Sequence, residues 1–466
     1  MRLVMKFGGS SIDSASELSQ VSELVKSYSK GNQLVVVVSA QRGVTDSLLN
    51  SCKRAEAGDR ASAKGKVGEL LEKHIRLIRS SINDKKIRLS AEKEIKDLIK
   101  DLEKLLLGVS YLGEITPKSR DQILSFGERL SAQILLAVLR DHKIKAAAFT
   151  GAEAGIITDS NFGEATPLMN VSKHQITENL LPYLTKGTIP IITGFIAGNQ
   201  DHVITTLGRG GSDYSATILG SSIEADEVWF WTDVDGLMTA DPRLIKNAKT
   251  ILEISFREAM EMTIFGAKAM HPKALEPAMQ AKIPVRIRNT FNPSNKGSLI
   301  QVSQKIKPVD IVKAVVLVRD VAVINLVGAG MVGKPGTMAK VFEVLARGNI
   351  NVLMISQTVS EANVSLAIKR QDLDKAINSL EIALLGGGSI VEISGEDDVA
   401  VIAVVGAGMK GTKGVAARVF QCVSKATVNV RMIAQGSSEL NISFVVREKE
   451  SSGAVTAIHK EFLGAR

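Results

Sequence analysis

An α/β fold, a doubly wound and mainly parallel sheet followed by two small interlocked βαββαβ modules, is what three features of this chain predict. Short apolar runs alternate with amphipathic helical stretches over roughly the first 290 residues. Two glycine-rich turns each link a strand to a helix, at Gly8-Gly9 and at Gly208 to Gly211. Beyond residue 320 the chain repeats itself: Val321 to Met331 is echoed 78 positions later by Val399 to Met409.

Leu3 to Phe7 reads as the first strand, with Lys6 near its end and Gly8, Gly9, Ser10 and Ser11 before a helical stretch. Such a lysine lies at the C-terminal edge of a sheet, where open α/β folds bind ligands. It precedes the glycines, so the element is not a Walker A loop. Leu34 to Ser39 is a continuous apolar run, suited to a parallel strand buried on both faces. From Thr45 to about Leu107 the chain is charged and helical, with Ala55 to Gly68 expected as a polar surface excursion. Asp121 to His142 reads as one amphipathic helix. Strands follow at Ala146 to Thr150, Thr188 to Ile192, His202 to Thr206 and Glu227 to Trp231. Asn292 to Pro308, with its Pro, Asn, Ser, Gly and Lys, is expected to be a linker closing a first domain of residues 1–300.

The stretch Thr205-Thr-Leu-Gly-Arg-Gly-Gly-Ser-Asp-Tyr-Ser-Ala-Thr217 carries the most chemistry. Gly210 and Gly211 lack a Cβ, so the backbone there can approach an anion closely. Ser212 and Asp213 are N-cap candidates for an apolar helix beginning near Tyr214. A glycine loop feeding a helix N-terminus offers free N–H groups and a positive dipole end. Arg209 stands in that cradle, where its planar fork can grip a carboxylate or phosphate. A glycine turn with a solvated arginine is the plainer alternative.

Each C-terminal repeat reads β-α-β-β-α, with final strands near Asn363 to Ile368 and Asn441 to Val446. The strand Ser389 to Ile393 closes the first unit, whereas the second ends in a helix and has none. A strand at Ile311 to Val318 precedes the first unit and completes the second. The first module, 321–394, is therefore inserted within the second, formed by 311–320 with 395–466. Both repeats carry G-x-G-x-x-G, at Gly328 to Gly333 and Gly406 to Gly411. The strands that follow end in Ser356-Gln357 and Ala434-Gln435, without the acid a ribose requires, so a dinucleotide site is rejected. Ligand-sensing modules fit better, and a purely structural dimerisation domain is the competing reading.

Composition excludes several classes. With 466 residues, 45% of them hydrophobic, the chain can bury the cores of two or three domains. Cys52 and Cys422 are far apart, and neither they nor the six histidines have metal-ligand spacing, which fits a reducing cytosol. No apolar run reaches ~18 residues and no signal peptide is visible, so a cytoplasmic protein without membrane contact is expected. A net charge of +9 raises the question of nucleic acid, but aromatics are only 4% and no stacking motif stands out. Solvated helix faces and a site for anionic substrates account for the charge better.

Taken together, K-F-G-G-S-S, V-V-V-V-S-A with Val44-Thr45, S-F-G-E-R-L-S-A, L-G-R-G-G-S-D, W-T-D-V-D-G with A-D-P-R, and F-G-A-K-A-M-H-P resemble the aspartate kinase family, in its order and over nearly the whole length. The tail resembles that family's paired ACT modules. The resemblance implies transfer of the ATP γ-phosphate to the β-carboxylate of L-aspartate, with Mg²⁺ entering on the nucleotide and no metal held by the protein alone. It implies that Lys6 and Lys268 stabilise the transferring group and that Asp213 orients the lysines or supports Mg²⁺. Arg209 would clamp the α-carboxylate of aspartate and Glu128 its ammonium, with Ser39, Thr45, Gly210, Gly211 and Ser212 completing that site. Gly8, Gly9 and Ser10 would donate to the phosphates. Thr232, Asp233, Met238, Arg243, Lys268 and Ala269 match the nucleotide stretch, although Met238 replaces a tyrosine common in the family.

In the first module Met331, Thr337, Met338, Asn351 and Val352, with Gln357 nearby, match the family's effector residues. Such modules bind amino acids where two copies meet, so a homodimer or higher oligomer is expected. The second module resembles those of threonine-inhibited relatives, which favours threonine over lysine. With nothing after the second module, a monofunctional enzyme is expected. Another amino-acid kinase of the same fold and a catalytically inactive sensor remain the alternatives; intact Lys6, Arg209, Asp213 and Lys268 speak against the sensor.

Overall fold

The computed structural model describes residues 1–264, 270–302, 311–360 and 362–464. Two compact units divide the chain. The first holds Met1–Leu237, Leu252–Phe256 and Lys268–Gln304; the second holds Met238–Ile251, Arg257–Ala267 and Lys305–Arg466.

The strands of the first unit are β1 (Arg2–Phe7), β2 (Gln33–Val38), β3 (Ala146–Phe149), β4 (Ile157–Thr158), β5 (Ile189–Thr193) and β6 (Ile196–Asn199). They continue with β7 (Ile204–Thr206), β8 (Glu227–Thr232), β9 (Glu253–Ser255), β10 (Val285–Asn289) and β11 (Ser298–Gln301). Eight of them form one sheet in the order β3-β5-β2-β1-β8-β10-β11-β9. Only the β10–β11 pair in it is antiparallel. Helices α1 (Ala15–Ser29), α2 (Val44–Glu56), α3 (Arg60–Ser81), α4 (Lys85–Leu112), α5 (Pro117–Leu124) and α6 (Phe126–Asp141) precede β3. Then come α7 (Gly151–Ala154), α8 (Met169–Thr185), α9 (Gly211–Ser222), α10 (Phe256–Ile264), which after Phe256 belongs to the second unit, and α11 (Glu276–Ala281).

The continuous apolar strands follow from burial on both faces. Leu3, Met5 and Phe7, with Leu34, Val36 and Val38, join a core shared with α1, α2, α3, α4 and α6. Val4, Val35 and Val37 point the other way and are equally buried, on the side covered by α8 and α9. This is the doubly wound sheet expected from the alternation.

Four expectations are corrected. Ala55 to Gly68 is no surface excursion: α2 and α3 meet at Gly58, Asp59 caps α3 by accepting from Ser62 N, and Ala55, Ala63 and Val67 are buried. The helix expected over Asp121 to His142 breaks at Ser125 into α5 and α6. The Pro117–Asp141 stretch is apolar enough by composition to cross a membrane, but 83% of its most apolar window is buried in the fold. The His202 to Thr206 run shortens to β7, which pairs antiparallel with β6 in a separate sheet with β4. Finally, Asn292 to Gly297 is not linker but the turn into β11. A Cβ on Gly297 would lie 1.8 Å from the Ile287 carbonyl. The rest of that predicted linker, residues 303–310, lies outside the described residues.

In the second unit, β12 (Ala314–Val327), β13 (Val352–Gln357), β14 (Asn363–Lys369), β15 (Glu392–Val405), β16 (Met432–Ala434) and β17 (Asn441–Arg447) form one antiparallel sheet. Its order is β13-β14-β12-β15-β17-β16. Helices α12 (Thr337–Arg347), α13 (Leu373–Leu384), α14 (Val415–Lys425) and α15 (Ser451–Leu463) accompany it. The four short strands expected at 311–318, 321–327, 389–393 and 399–405 are two long ones, because each pair is continuous. Ala314 to Val318 pairs with Val401 to Val405, and Val323 to Val327 pairs with Glu392 to Glu396. Each long strand therefore serves both modules, through one half in each.

The glycine fingerprints have a packing cause. A Cβ on Gly328 would stand 2.2 Å from the Ser389 carbonyl oxygen, and one on Gly406 would stand 2.2 Å from that of Ile311. The turn after each first strand must touch the backbone entering the neighbouring strand. Gly333 has open space around its Cβ position and a φ of +62°. Gly328→Ala should therefore destabilise the second unit by ~3 kcal/mol or more, and Gly333→Ala by only about 1 kcal/mol. Denaturant unfolding of both variants measures this; equal losses would overturn the packing account.

Candidate active site

The site grows from the C-terminal ends of β1, β2 and β8. Gly8 N donates to the Trp231 carbonyl at 3.1 Å, and Ser39 N donates to the Phe7 carbonyl at 3.2 Å. A Cβ on Gly9 would lie 2.5 Å from the Ala40 carbonyl oxygen, so only glycine lets these two turns touch. Gly43, at φ +76°, starts α2 and leaves Thr45 in its first turn.

Opposite them lies the Arg209 turn. Helix α9 begins at Gly211, with Gly210 as N-cap at φ +73°. Ser212 and Asp213 are thus first-turn residues and not the N-caps expected, because the left-handed glycine starts the helix earlier. Close packing fixes the turn. Cβ atoms on Gly210 and Gly211 would lie 2.3 Å from His271 Cβ and 2.7 Å from the Phe195 ring. Asp213 Oδ1 receives Lys6 Nζ at 2.6 Å, with both side chains nearly buried. That ion pair ties the end of β1 to the start of α9.

Between these turns opens a cavity of about 300 Å³. Lys6, Ser39, Thr45, Glu128, Arg209, Gly210, Gly211, Ser212 and Asp213 all line it, together with Ala40, Phe195 and Gly208. Its size suits a small polar molecule. Glu128, on the first turn of α6, is 5% exposed and accepts from Ala40 N at 3.1 Å. Burial pushes its carboxyl up to about 8, against the pull of that hydrogen bond. A cation entering the cavity would restore its charge.

Other expected residues stand elsewhere. Gly8, Gly9 and Ser10 form the turn after β1, and Thr232 Oγ1 donates to Asp233 Oδ1 at 3.2 Å. Asp233 also lies 3.7 Å from Arg42. Met238 and Arg243 belong to the second unit, where Arg243 forks onto Asp241. Lys268 and Ala269 lie outside the described residues. In the first module Met331 is buried in the core with Met338 and Val352 packed on it. Thr337 opens α12, while Asn351 and Gln357 flank and end β13, both exposed.

Sequence reasoning missed Phe195 and His271. Phe195 sits at φ +66°, and its N–H donates to Ser215 Oγ at 3.0 Å. His271 covers Gly210, and burial, with Lys273 and Arg209 nearby, holds its imidazole below the usual histidine range. The signal for His271 was its place in F-G-A-K-A-M-H-P; Phe195 had none.

The sequence profile of the amino acid kinase family matches residues 1–289, and that of the ACT domain matches 324–384 and 402–462. Aspartokinase 1 of Arabidopsis thaliana is 32% identical over 98% of this chain and 80% of its own. The chain belongs to the aspartokinases. It is also 33% identical to the bifunctional aspartokinase/homoserine dehydrogenase 1 of the same plant, about half of whose length it spans. Escherichia coli aspartokinase III, solved in complex with aspartate and ADP in the R-state, superposes with a TM-score of 0.84 at 29% identity over the whole of both chains. The same enzyme in complex with lysine and aspartate in the T-state gives 0.82 at 29% identity over 99% of each chain. This aspartokinase is accordingly a kinase acting on aspartate and using ATP, with ACT modules for allosteric regulation.

The raised carboxyl of Glu128 has a measurable sign. Unfolded, the acid ionises near 4.5; folded and without a cation, near 8. Between those values the folded state holds the extra proton, so stability falls as pH rises through that window. Glu128→Gln should flatten the fall and, at pH 8, stabilise the aspartate-free protein by on the order of 1–3 kcal/mol. Chemical denaturation at pH 5 and pH 8 tests this. A glutamine variant less stable at pH 8 would mean that Glu128 is already paired.

Proposed function

We propose that the Lys6–Glu128–Arg209 cavity binds L-aspartate and presents its β-carboxylate to ATP, forming 4-phospho-L-aspartate and ADP. The observation that carries this is the convergence of two acids and two basic groups, from three distant segments, on a single small cavity. Arg209 takes the α-carboxylate through its fork, and Glu128, buried and without an ion pair among the described residues, takes the α-ammonium. Ser39 and Thr45 donate to the substrate, and the N–H groups of Gly210, Gly211 and Ser212 face its negative end. A β-carboxylate oxygen then attacks the γ-phosphorus, and the bond to the β-phosphate oxygen breaks to release ADP. Phosphoryl transfer is served mainly by alignment and charge neutralisation. Lys6, held by Asp213, supplies positive charge at the transferring group together with Lys268. Gly9 and Ser10 donate to the phosphates, Gly8 N being held by the Trp231 carbonyl, while Thr232 and Asp233 bound the nucleotide. Mg²⁺ arrives on ATP, neutralising its phosphates. A cytoplasmic location fits this reading.

Lys6→Ala should leave the fold intact and reduce kcat by roughly 3 kcal/mol or more in activation free energy. Hydroxamate formation from aspartate, ATP and hydroxylamine reports it, and activity within about threefold of the parent would sink the assignment.

For regulation we favour threonine over lysine, bound by the first module in a homodimer. A lysine side chain would require an acidic partner. The turn and strand at 328–340 and 349–360 contain no Asp or Glu, and they carry Lys334 and Lys340. The lysine complex of E. coli aspartokinase III makes lysine the effector to test beside it. Asn351→Ala should preserve uninhibited activity and weaken inhibition by threonine about tenfold, or 1.4 kcal/mol. Rates against each amino acid decide: inhibition by lysine alone reverses the choice, and superimposable threonine curves remove Asn351 from the site.

A further inference from the structure

Asp121 does not line the cavity and has no role in the reaction described above, yet it is a fully buried carboxylate bonded to the strand end that leads into the Arg209 turn. It lies on α5, the helix directly before the one that carries Glu128, and is 0% exposed. Its Oδ2 accepts from Thr206 N and Gly163 N, each at 2.9 Å, and its Oδ1 accepts from Thr206 Oγ1 at 2.9 Å. Thr206 is the last residue of β7 and stands just before Leu207, Gly208 and Arg209. The Gly163 loop is a second support for the same turn. Ala165 N donates to the Thr206 carbonyl at 2.9 Å, and a Cβ on Gly208 would meet Glu164 Cγ at 3.2 Å and the Gly163 carbonyl at 3.3 Å. One carboxylate thus joins the helix pair bearing Glu128 to both walls of the turn bearing Arg209. Burial raises its carboxyl against the pull of these bonds, a cost tolerated only because every donor is aimed at it.

We propose that Asp121 is a positioning residue that sets the spacing between Arg209 and Glu128, and through it the affinity and selectivity for an α-amino acid. The inference rests on the assignment of those two residues to the aspartate carboxylate and ammonium. Two-point recognition of a rigid zwitterion needs both partners at fixed separation, and neither side chain can correct a shift of the backbone beneath the other. The sequence hides this role, since an acid opening an apolar helix reads as an ordinary first-turn residue.

Asp121→Ala removes all three hydrogen bonds. It should raise the KM for aspartate at least tenfold while the KM for ATP stays within twofold. Asp121→Asn should restore the KM for aspartate to within about threefold of the parent. Its carbonyl can keep both N–H bonds while its amide donates to the Thr206 hydroxyl, which can turn to accept. Thr206→Val, which loses one bond and little volume, should raise it about threefold and decides the matter if the alanine variant does not fold. Arg209→Lys, measured alongside, checks the reading beneath. If it leaves the KM for aspartate unchanged, the assignment of the carboxylate site fails. If it raises that KM while Asp121→Ala and Thr206→Val do not, only the positioning role fails. A loss of kcat with both KM values unchanged would mark Asp121 as merely structural and overturn the proposal, as would an asparagine variant as poor as the alanine one.

Discussion

The ion pair between Lys6 and Asp213 is the interaction on which the site's geometry depends. Lys6 projects from the end of a strand buried on both faces, and Asp213 from the first turn of a helix whose start is set by a left-handed glycine. Their contact holds the sheet edge and the anion cradle at one separation. In the proposed reaction an incoming phosphate would compete with Asp213 for the lysine, so the bond that orders the site would also hold a cation ready for the transferring group.

Around this pair, the backbone approaches more closely than side chains allow. Gly9 against Ala40, Gly194 against Ser212, Gly210 against His271 and Gly211 against Phe195 each leave no room for a Cβ. These four contacts bring the β1 turn, the β2 turn, the β5–β6 turn and the α9 cradle around one cavity. In the second unit the same constraint works without a ligand, since Gly328 and Gly406 are needed where the turn crosses the backbone beside it. Similar glycine spacing therefore arises from two different causes, and only the surrounding chemistry separates them.

That difference explains what the sequence revealed. The buried strands were legible because β1 and β2 are apolar on both faces, and the cavity was legible because Lys6, Glu128 and Arg209 sit in short, distinctive motifs. Asp121 and Phe195 were not, because their roles come from partners distant in the chain: Thr206 for one, Ser215 and the Gly211 backbone for the other. The Ala55 to Gly68 error has a similar root. Small apolar residues at 55, 63 and 67 give little hydrophobic signal, yet all three are buried where α2 turns into α3. The long strands β12 and β15 were read as pairs of short ones because charged residues at Arg319-Asp320 and Glu396-Asp397-Asp398 interrupt their apolar runs at the point where one module passes to the other.

The division of the chain bears on regulation as much as on fold. The stretch matching the amino acid kinase family runs unbroken to residue 289, yet Met238–Ile251 and Arg257–Ala267 belong to the second unit. There Ala240 and Ile245 enter the core of the second module, Thr239 Oγ1 lies 3.0 Å from His459 Nε2, and Glu258 accepts from Ala407 N at 2.6 Å. Met238 and Arg243, which the resemblance assigns to the nucleotide, are thus carried by the second unit's own packing. An effector changes activity only through a difference in affinity between two arrangements of the protein. In this chain, repacking of the second module need not be relayed to those residues through an intermediary. The loop that bears them is part of what would be repacked.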